Sequence, residues 1–262
     1  MTELEMRIKE LKKALEDAEK ERKQIELKKE AEKKKRALEV KEVPYINSNL
    51  METLKGISYP DPSDYFYYLD RSRRYLRLSD VIDGEDIYIA SRIIEWNIED
   101  YSLGLKDAGD REPIILWINS VGGDLKTSLS ICDAIKKSIT PIIAINLGVC
   151  YSGAALIFSC AHLRYGMPNS SFVLHEGYAT KGGGTYQQMV AYQEDYDYQV
   201  NQMKEIFRNN LSLDTDEKQN IFETMFKKEW FLYTNDKGEG EHDPYYLGLT
   251  NTKTFPFEGL KD

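Results

Sequence analysis

An α/β fold built on a mostly parallel sheet is what this chain of 262 residues predicts. Two observations carry that expectation. Short apolar runs alternate with segments of helical period along the body of the chain. Three of those runs end in a chemically useful element: a glycine pair, a serine opening a helix, and a histidine. Alternating strands and helices give a parallel sheet whose ligands gather at the strand carboxyl ends.

The elements follow in order. A strand over 75–78 leads to an Asp83-Gly84 turn, and 87–99 reads as a helix with Ile89, Ile93, Ile94 and Ile98 at helical spacing. A strand over 113–118, a helix over 124–137 and a strand over 141–147 come next. A helix over 152–161 follows, then strands over 163–166 and 171–175. Gly182-Gly183-Gly184 forms a corner before one long helix over 185–210, too polar and tyrosine-rich for a buried core and suited to subunit contacts. A shorter helix over 214–227 has Asp214 or Thr215 as its cap.

The first forty residues are a different object, lacking Gly and Pro. Met1, Leu4, Ile8, Leu11, Leu15 and Ala18 recur at three- and four-residue steps; the series meets Arg22, resumes at Ile25 and dissolves into Lys29 and Glu32. A weak coiled-coil seam and a solitary charged helix both fit that pattern. The expected organisation is a charged helical extension over 1–42, a Pro- and Asn-bearing linker over 43–66, a globular body over 67–252 and a tail over 253–262.

Charge is unevenly spread. Residues 1–40 hold 13 Lys/Arg and 11 Asp/Glu, so the total of −9 leaves −11 on the rest. An acidic body disfavours nucleic acid as a partner. The Lys33–Arg36 cluster fits a solvated helix face. No apolar run is long enough to span a bilayer, the charged N-terminus predicts no secretory signal, and the expected location is the cytoplasm. Three cysteines without metal-ligand spacing predict free thiols, no metal and no cofactor. Cys132 and Cys160 read as core filler, and Cys150 as strand-end packing.

At Gly122-Gly123 the backbone can reach conformations closed to other residues and let N–H groups approach a ligand; an ordinary strand-to-helix turn fits as well. Ser152, in G-V-C-Y-S-G-A-A, sits where a helix N-terminus stabilises an oxyanion, and equally where a plain N-cap would sit. Of three histidines, His175 stands at a strand end, His162 at an apolar helix end and His242 in a polar loop, where it is expected to be solvated. Each feature alone is ambiguous. Together they are the parts of a serine hydrolase: oxyanion hole, nucleophile and base.

That order resembles the Clp protease proteolytic subunit (ClpP) family. I-N-S-V-G-G is similar to the family's I-N-S-P-G-G, and G-V-C-Y-S-G-A-A to its G-x-A-A-S-M-G-A. R-Y-G-M-P-N-S-S-F-V-L-H-E, residues 164–176, is similar to R-x-x-L-P-N-S-R-x-M-I-H-Q, with Pro168, Asn169, Ser170 and His175 in register. The likeness continues to Tyr246-Leu247-Gly248-Leu249 and covers residues 67–252. It implies a ClpP/crotonase-like β/α superhelix with a long handle helix. It implies a serine endopeptidase acting on peptides or unfolded proteins through an acyl-enzyme, in a homo-oligomer of stacked heptameric rings, with an AAA+ unfoldase as partner. Carried over residue by residue, Ser152 is the nucleophile, His175 the base, and the N–H groups of Gly123 and Gly153 the oxyanion hole. The chain departs from the family at the acid. K-K-E-W-F-L-Y-T puts Glu229 where the family has aspartate, with Asp236 and Asp243 as weaker candidates. Val121 replaces the family's proline, and Cys150-Tyr151 its small residues, so that Tyr151 reshapes the S1 pocket or marks relaxed constraint. A catalytically inactive structural subunit and a phage-type capsid maturation protease are the competing readings. A crotonase-type acyl-CoA enzyme is disfavoured by the Ser152/His175 pair.

Overall fold

The computed structural model describes residues 68–177, 183–235 and 238–257, together with Lys23. The chain divides into two units, 1–66 and 67–262. The helical extension, the linker and Asp236 lie outside the described residues.

Six strands form one sheet: β1 (Tyr75–Ile82), β2 (Ile114–Gly123), β3 (Ile142–Tyr151), β4 (Leu163–Gly166), β5 (Ser171–Leu174) and β6 (Trp230–Tyr233). The order is β1-β2-β3-β5-β6, with β4 also on β3. Every pairing is parallel except β5 with β6. One edge of β3 serves two partners: residues 143–146 pair with β4 and residues 149–151 with β5. The sheet thereby turns as it grows, and the site end of β3 is handed to β5.

Helices α1 (Ile87–Ser102), α2 (Leu125–Lys137) and α3 (Gly153–Cys160) connect the first strands, as parallel neighbours require. Asp124 caps α2, accepting from the N–H and the hydroxyl of Thr127. In α3 residues Gly153 to Ser159 are all buried, so it runs through the core as an apolar segment. The handle helix is α4 (Tyr186–Asn210), opened by a Thr185/Gln188 capping box. It buries Val200, Met203, Ile206 and Phe207 near its C-terminal end, while Tyr186, Met189, Val190 and Tyr192 are exposed. Helix α5 (Asp216–Met225) is shorter than 214–227, with Thr215 as the cap.

Several boundaries differ from the sequence-based expectation. In α1 the buried stripe is Ile89, Ala90, Ile93, Trp96 and Asp100, and Ile94 and Ile98 are exposed. Ile94 lies one residue past Ile93 and Ile98 two past Trp96, off the i, i+4, i+7 line of Ile89, Ile93 and Trp96. Strand β1 runs on through Ser79 and Asp80, where a bulge with Asp80 at φ 57° shifts the register. Strand β3, expected over 141–147, runs on to Tyr151, with Cys150 packed near its end as expected. Strand β6 was absent from the predicted elements. Its four residues alternate in and out, too short a run to signal a strand alone.

The helices cover one face of the sheet. On the other, the tail crosses an aromatic row: Phe255 packs edge-on against Tyr165 at 5.4 Å, and Phe257 lies 6.4 Å from Trp117. Arg164 ties this C-terminal segment to β4 by donating to the carbonyls of Ala161, Gly248 and Leu249.

Candidate active site

Strand β3 ends at Tyr151 and helix α3 begins at Gly153, so the chain must reverse through one residue. That residue is Ser152, at φ 54° and ψ −122°, a region where a side chain is strained. The surroundings impose it. Ser152 N–H donates to Val173 O at 2.8 Å, and Ser152 O accepts from Leu156 N–H at 3.0 Å. Its side chain makes no capping bond to the helix, which overturns the plain N-cap reading and leaves Oγ free.

The turn needs a glycine facing it. Gly122 lies at φ 85°, and a Cβ there would fall 2.5 Å from Tyr151 O and 2.9 Å from Gly153 N. Gly122 and Gly123 end strand β2; Gly122 packs against the Ser152 elbow and Gly123 against the backbone of Ile82 on β1. Ser120 fixes the approach: its Oγ donates to Asp80 O on the β1 bulge and accepts from Gly122 N–H.

His175 arrives from β5. The antiparallel β5–β6 ladder pairs Leu174 with Trp230, so the next position sets His175 opposite Glu229. The result is one continuous row. Ser152 Oγ lies 2.8 Å from His175 Nε2, and His175 Nδ1 lies 2.9 Å from Glu229 Oε1. A carboxylate only accepts, so the proton belongs on Nδ1; Nε2 then accepts from the serine hydroxyl. The His175 side chain is 14% exposed and that of Glu229 65%. Lys204 on α4 pairs with Glu176, and Tyr196 OH donates to Glu176 O at 3.3 Å, tethering the residue after the histidine.

The other nominated residues have other work. Asp243 accepts from Tyr245 N–H at 2.8 Å. His162 Nδ1 accepts from Ile142 N–H, and burial followed by the nearby Arg164 holds its pKa below the ordinary value. His242 is not simply solvated, because its Nδ1–H donates to Phe231 O at 2.7 Å. Tyr151, Val173 and Phe231 share the outer face; the tyrosine ring meets Phe231 edge-on at 6.1 Å, and its hydroxyl pairs with Ser171 Oγ. Cys150 is buried, and burial pushes its thiol well up. Sequence reasoning missed Ser120 and the Lys204–Glu176 tether. The Ser120 bond to Asp80 O spans 40 residues and the Lys204–Glu176 pair 28, so neither contact carries a local signal. Among the described residues no three His, Cys, Asp or Glu converge as metal ligands would, and no helix is long and apolar enough to cross a membrane.

The ATP-dependent Clp protease proteolytic subunit 2 of Borreliella burgdorferi is 27% identical over 154 residues, 58% of this chain and 73% of that protein. The subunit of the same name from Prochlorococcus marinus is 24% identical over 181 residues, 68% and 84% of the two chains. That of Treponema denticola is 36% identical over 67 residues, a quarter of this chain (25%) and 34% of the relative. A Clp protease family model matches residues 77–238, more than half of the chain, with the Ser152 elbow, His175 and Glu229 inside the match, and the protein belongs to the Clp protease family.

Proposed function

We propose that the protein is a serine endopeptidase that cleaves peptides or unfolded proteins through an acyl-enzyme. The observation that carries this is the unbroken row from Glu229 through His175 to Ser152 Oγ. Ser152 Oγ attacks the scissile carbonyl while His175 Nε2 takes its proton. The N–H groups of Gly123 and Gly153 receive the oxygen as it becomes negative. Nε2 then protonates the leaving amine, and water, deprotonated at the same nitrogen, releases the acid. Glu229 fixes the tautomer and stabilises the imidazolium. A glutamate is one methylene longer than aspartate, and the β5–β6 register accommodates it from a position directly across the ladder.

The chain acts as a homo-oligomer in this reading, with stacked heptameric rings and an AAA+ unfoldase feeding them in the cytoplasm. The exposed apolar residues on the first half of α4 and the names of the relatives support assembly.

An inactive structural subunit is the competing reading, prompted by the exposed acid and the altered residues around the serine. Fluorophosphonate labelling separates the two. We expect adduct on the Ser152 peptide and hydrolysis of a short hydrophobic fluorogenic peptide, both lost in Ser152→Ala. A folded, oligomeric protein that takes no label and cleaves no peptide would refute the peptidase reading.

A further inference from the structure

The turn at the end of β2 is held by a single buried hydroxyl. Ser120 is fully buried. Its Oγ donates to Asp80 O at 2.7 Å and accepts from Gly122 N–H at 3.1 Å. The ladder around it is irregular. Asp80 pairs with Ser120 and Val81 with Gly122, so Val121 is an extra residue opposite β1. On the other side, the register with β3 shifts between Ile118 and Ser120. Asp80 meets the mismatch at φ 57°, in the left-handed region, with its side chain exposed. Past the irregularity the strands re-engage: Asp124 N–H donates to Ile82 O at 2.9 Å, and a Cβ on Gly123 would fall 2.1 Å from the same oxygen.

From this geometry we propose that Ser120 is a positioning residue for the oxyanion hole: by tying Gly122 to the Asp80 bulge it sets where the Gly123 N–H points.

The proposal rests on the serine peptidase reading and deepens it. A regular strand has its N–H directions fixed by the ladder. Where an extra residue disrupts the ladder, they depend on whatever bonds replace it. Between Asp80 and Ile82 the replacement is Ser120 Oγ, which satisfies a β1 carbonyl and a turn N–H at once. Little else restrains the segment. Val121 is half exposed, and Gly122 and Gly123, at φ 85° and 158°, have no side chains to pack.

The kinetic consequence follows from where an oxyanion donor acts. The substrate oxygen draws on the hole fully only as it becomes negative, so a misdirected N–H weakens the transition state more than the bound substrate. The proton path through Glu229, His175 and Ser152 includes none of the Ser120 atoms. Loss of the Ser120 hydroxyl should therefore lower kcat, leave KM nearly unchanged and keep the shape of the pH profile.

The test compares Ser120→Ala with the unmutated full chain on a fluorogenic peptide, with kcat counted per site that fluorophosphonate titrates. A peptide aldehyde is the second probe, because its hemiacetal oxygen occupies the hole. We expect kcat to fall about 10- to 100-fold with KM within about twofold, and the aldehyde to bind more weakly by the same factor as kcat/KM falls. A merely structural role would lower the melting temperature and the titratable fraction and leave both per-site values alone. Asp80 offers an independent route, since its exposed side chain can be changed without touching the core. Asp80→Val, whose branched side chain resists φ 57°, should reproduce the kcat loss, and Asp80→Gly, which accepts that conformation, should lose less. Unchanged per-site kcat and aldehyde affinity in folded Ser120→Ala would overturn the proposal while leaving the peptidase reading in place, as would a loss confined to KM. If Ser120→Ala does not fold, equal kcat in the two Asp80 variants overturns it. An unmutated chain that takes no label and cleaves no peptide refutes the peptidase reading and this proposal with it.

Discussion

The two ends of the sheet carry two hydrogen-bonded polar networks, and they are built on opposite principles. At the amino ends of β1, β2 and β3, Arg74 grips both oxygens of Asp100, Thr140 Oγ1 donates to one of them, and Arg111 bridges Thr140, Leu105 O and Asn97. Asn97 in turn accepts from the Ile139 N–H and donates to Ser138. Asp100 and Thr140 are fully buried, and both carboxylate oxygens of Asp100 have donors. At the carboxyl ends, Ser152, His175 and Glu229 form an open chain whose carboxylate faces solvent. A closed network fixes geometry and leaves no atom able to exchange a proton. An open one leaves a serine hydroxyl at one end and an imidazole between it and the carboxylate. Burial and satisfaction therefore identify the framework of this fold, while the site is recognised by its unsaturated end and by strain at Ser152.

Removing the reactive atom breaks the comparison most sharply. Ser152→Ala should lower kcat/KM for a fluorogenic peptide by about a million-fold while leaving the melting temperature nearly unchanged. Ser152→Gly should be as inactive and more stable by about 1 kcal/mol, because glycine adopts φ 54° without strain. Thermal melts beside peptidase assays check both. A Ser152→Gly protein that melts lower would show that the elbow is not strained.

The same operation at the other end should act on stability instead. Asp100→Ala strands the Arg74 guanidinium beside a buried cavity and should cost about 3–5 kcal/mol of unfolding free energy by denaturant titration. Protein that remains folded should keep its kcat. A large kcat loss in folded protein would mean that the two networks are coupled through the sheet.

How far the sequence anticipates each end follows from the range of the interactions. Ser152 and His175 are legible because each closes an apolar strand run with its chemistry at a fixed offset, and Glu229 because K-E-W-F-L stands in register with a known pattern. Nothing near Asp100 announces its role. In N-I-E-D-Y-S it looks like one more solvated helix charge, and its partner Arg74 is 26 residues away. The same distance problem hides the aromatic row under Phe255 and Phe257, and the burial of Trp96 in place of Ile94 and Ile98. Periodicity finds a helix readily, but only the facing surface decides which stripe is inside.

Glu229→Gln sharpens the contrast from the open side. A buried triad acid is worth about four orders of magnitude in kcat. Here the carboxylate is 65% exposed, so water can take over part of its role toward the imidazolium, and the loss should be smaller, about 100- to 1,000-fold with little change in KM. Glu229→Asp should retain part of the activity. Steady-state kinetics at fixed pH reads both, and unchanged kcat in Glu229→Gln would remove the residue from the triad.

The smallest effect is one of pH. Burial opposes ionisation of Asp100, but hydrogen bonds from Arg74 and Thr140 outweigh it and hold the carboxyl below its ordinary value. Arg74 stays charged throughout, so only the aspartate titrates. A carboxylate whose folded pKa is depressed binds fewer protons folded than unfolded. Its contribution is fully present above the unfolded value, about 3.9, and is lost as pH falls through the lower folded one. The protein should therefore lose stability below about pH 4, and Asp100→Asn, though less stable at neutral pH, should show a flatter acid limb. Urea titrations from pH 7 down to pH 2.5 measure it. Parallel acid limbs in the two proteins would mean that the Arg74–Asp100 pair survives protonation and that other carboxylates set the acid sensitivity of the fold.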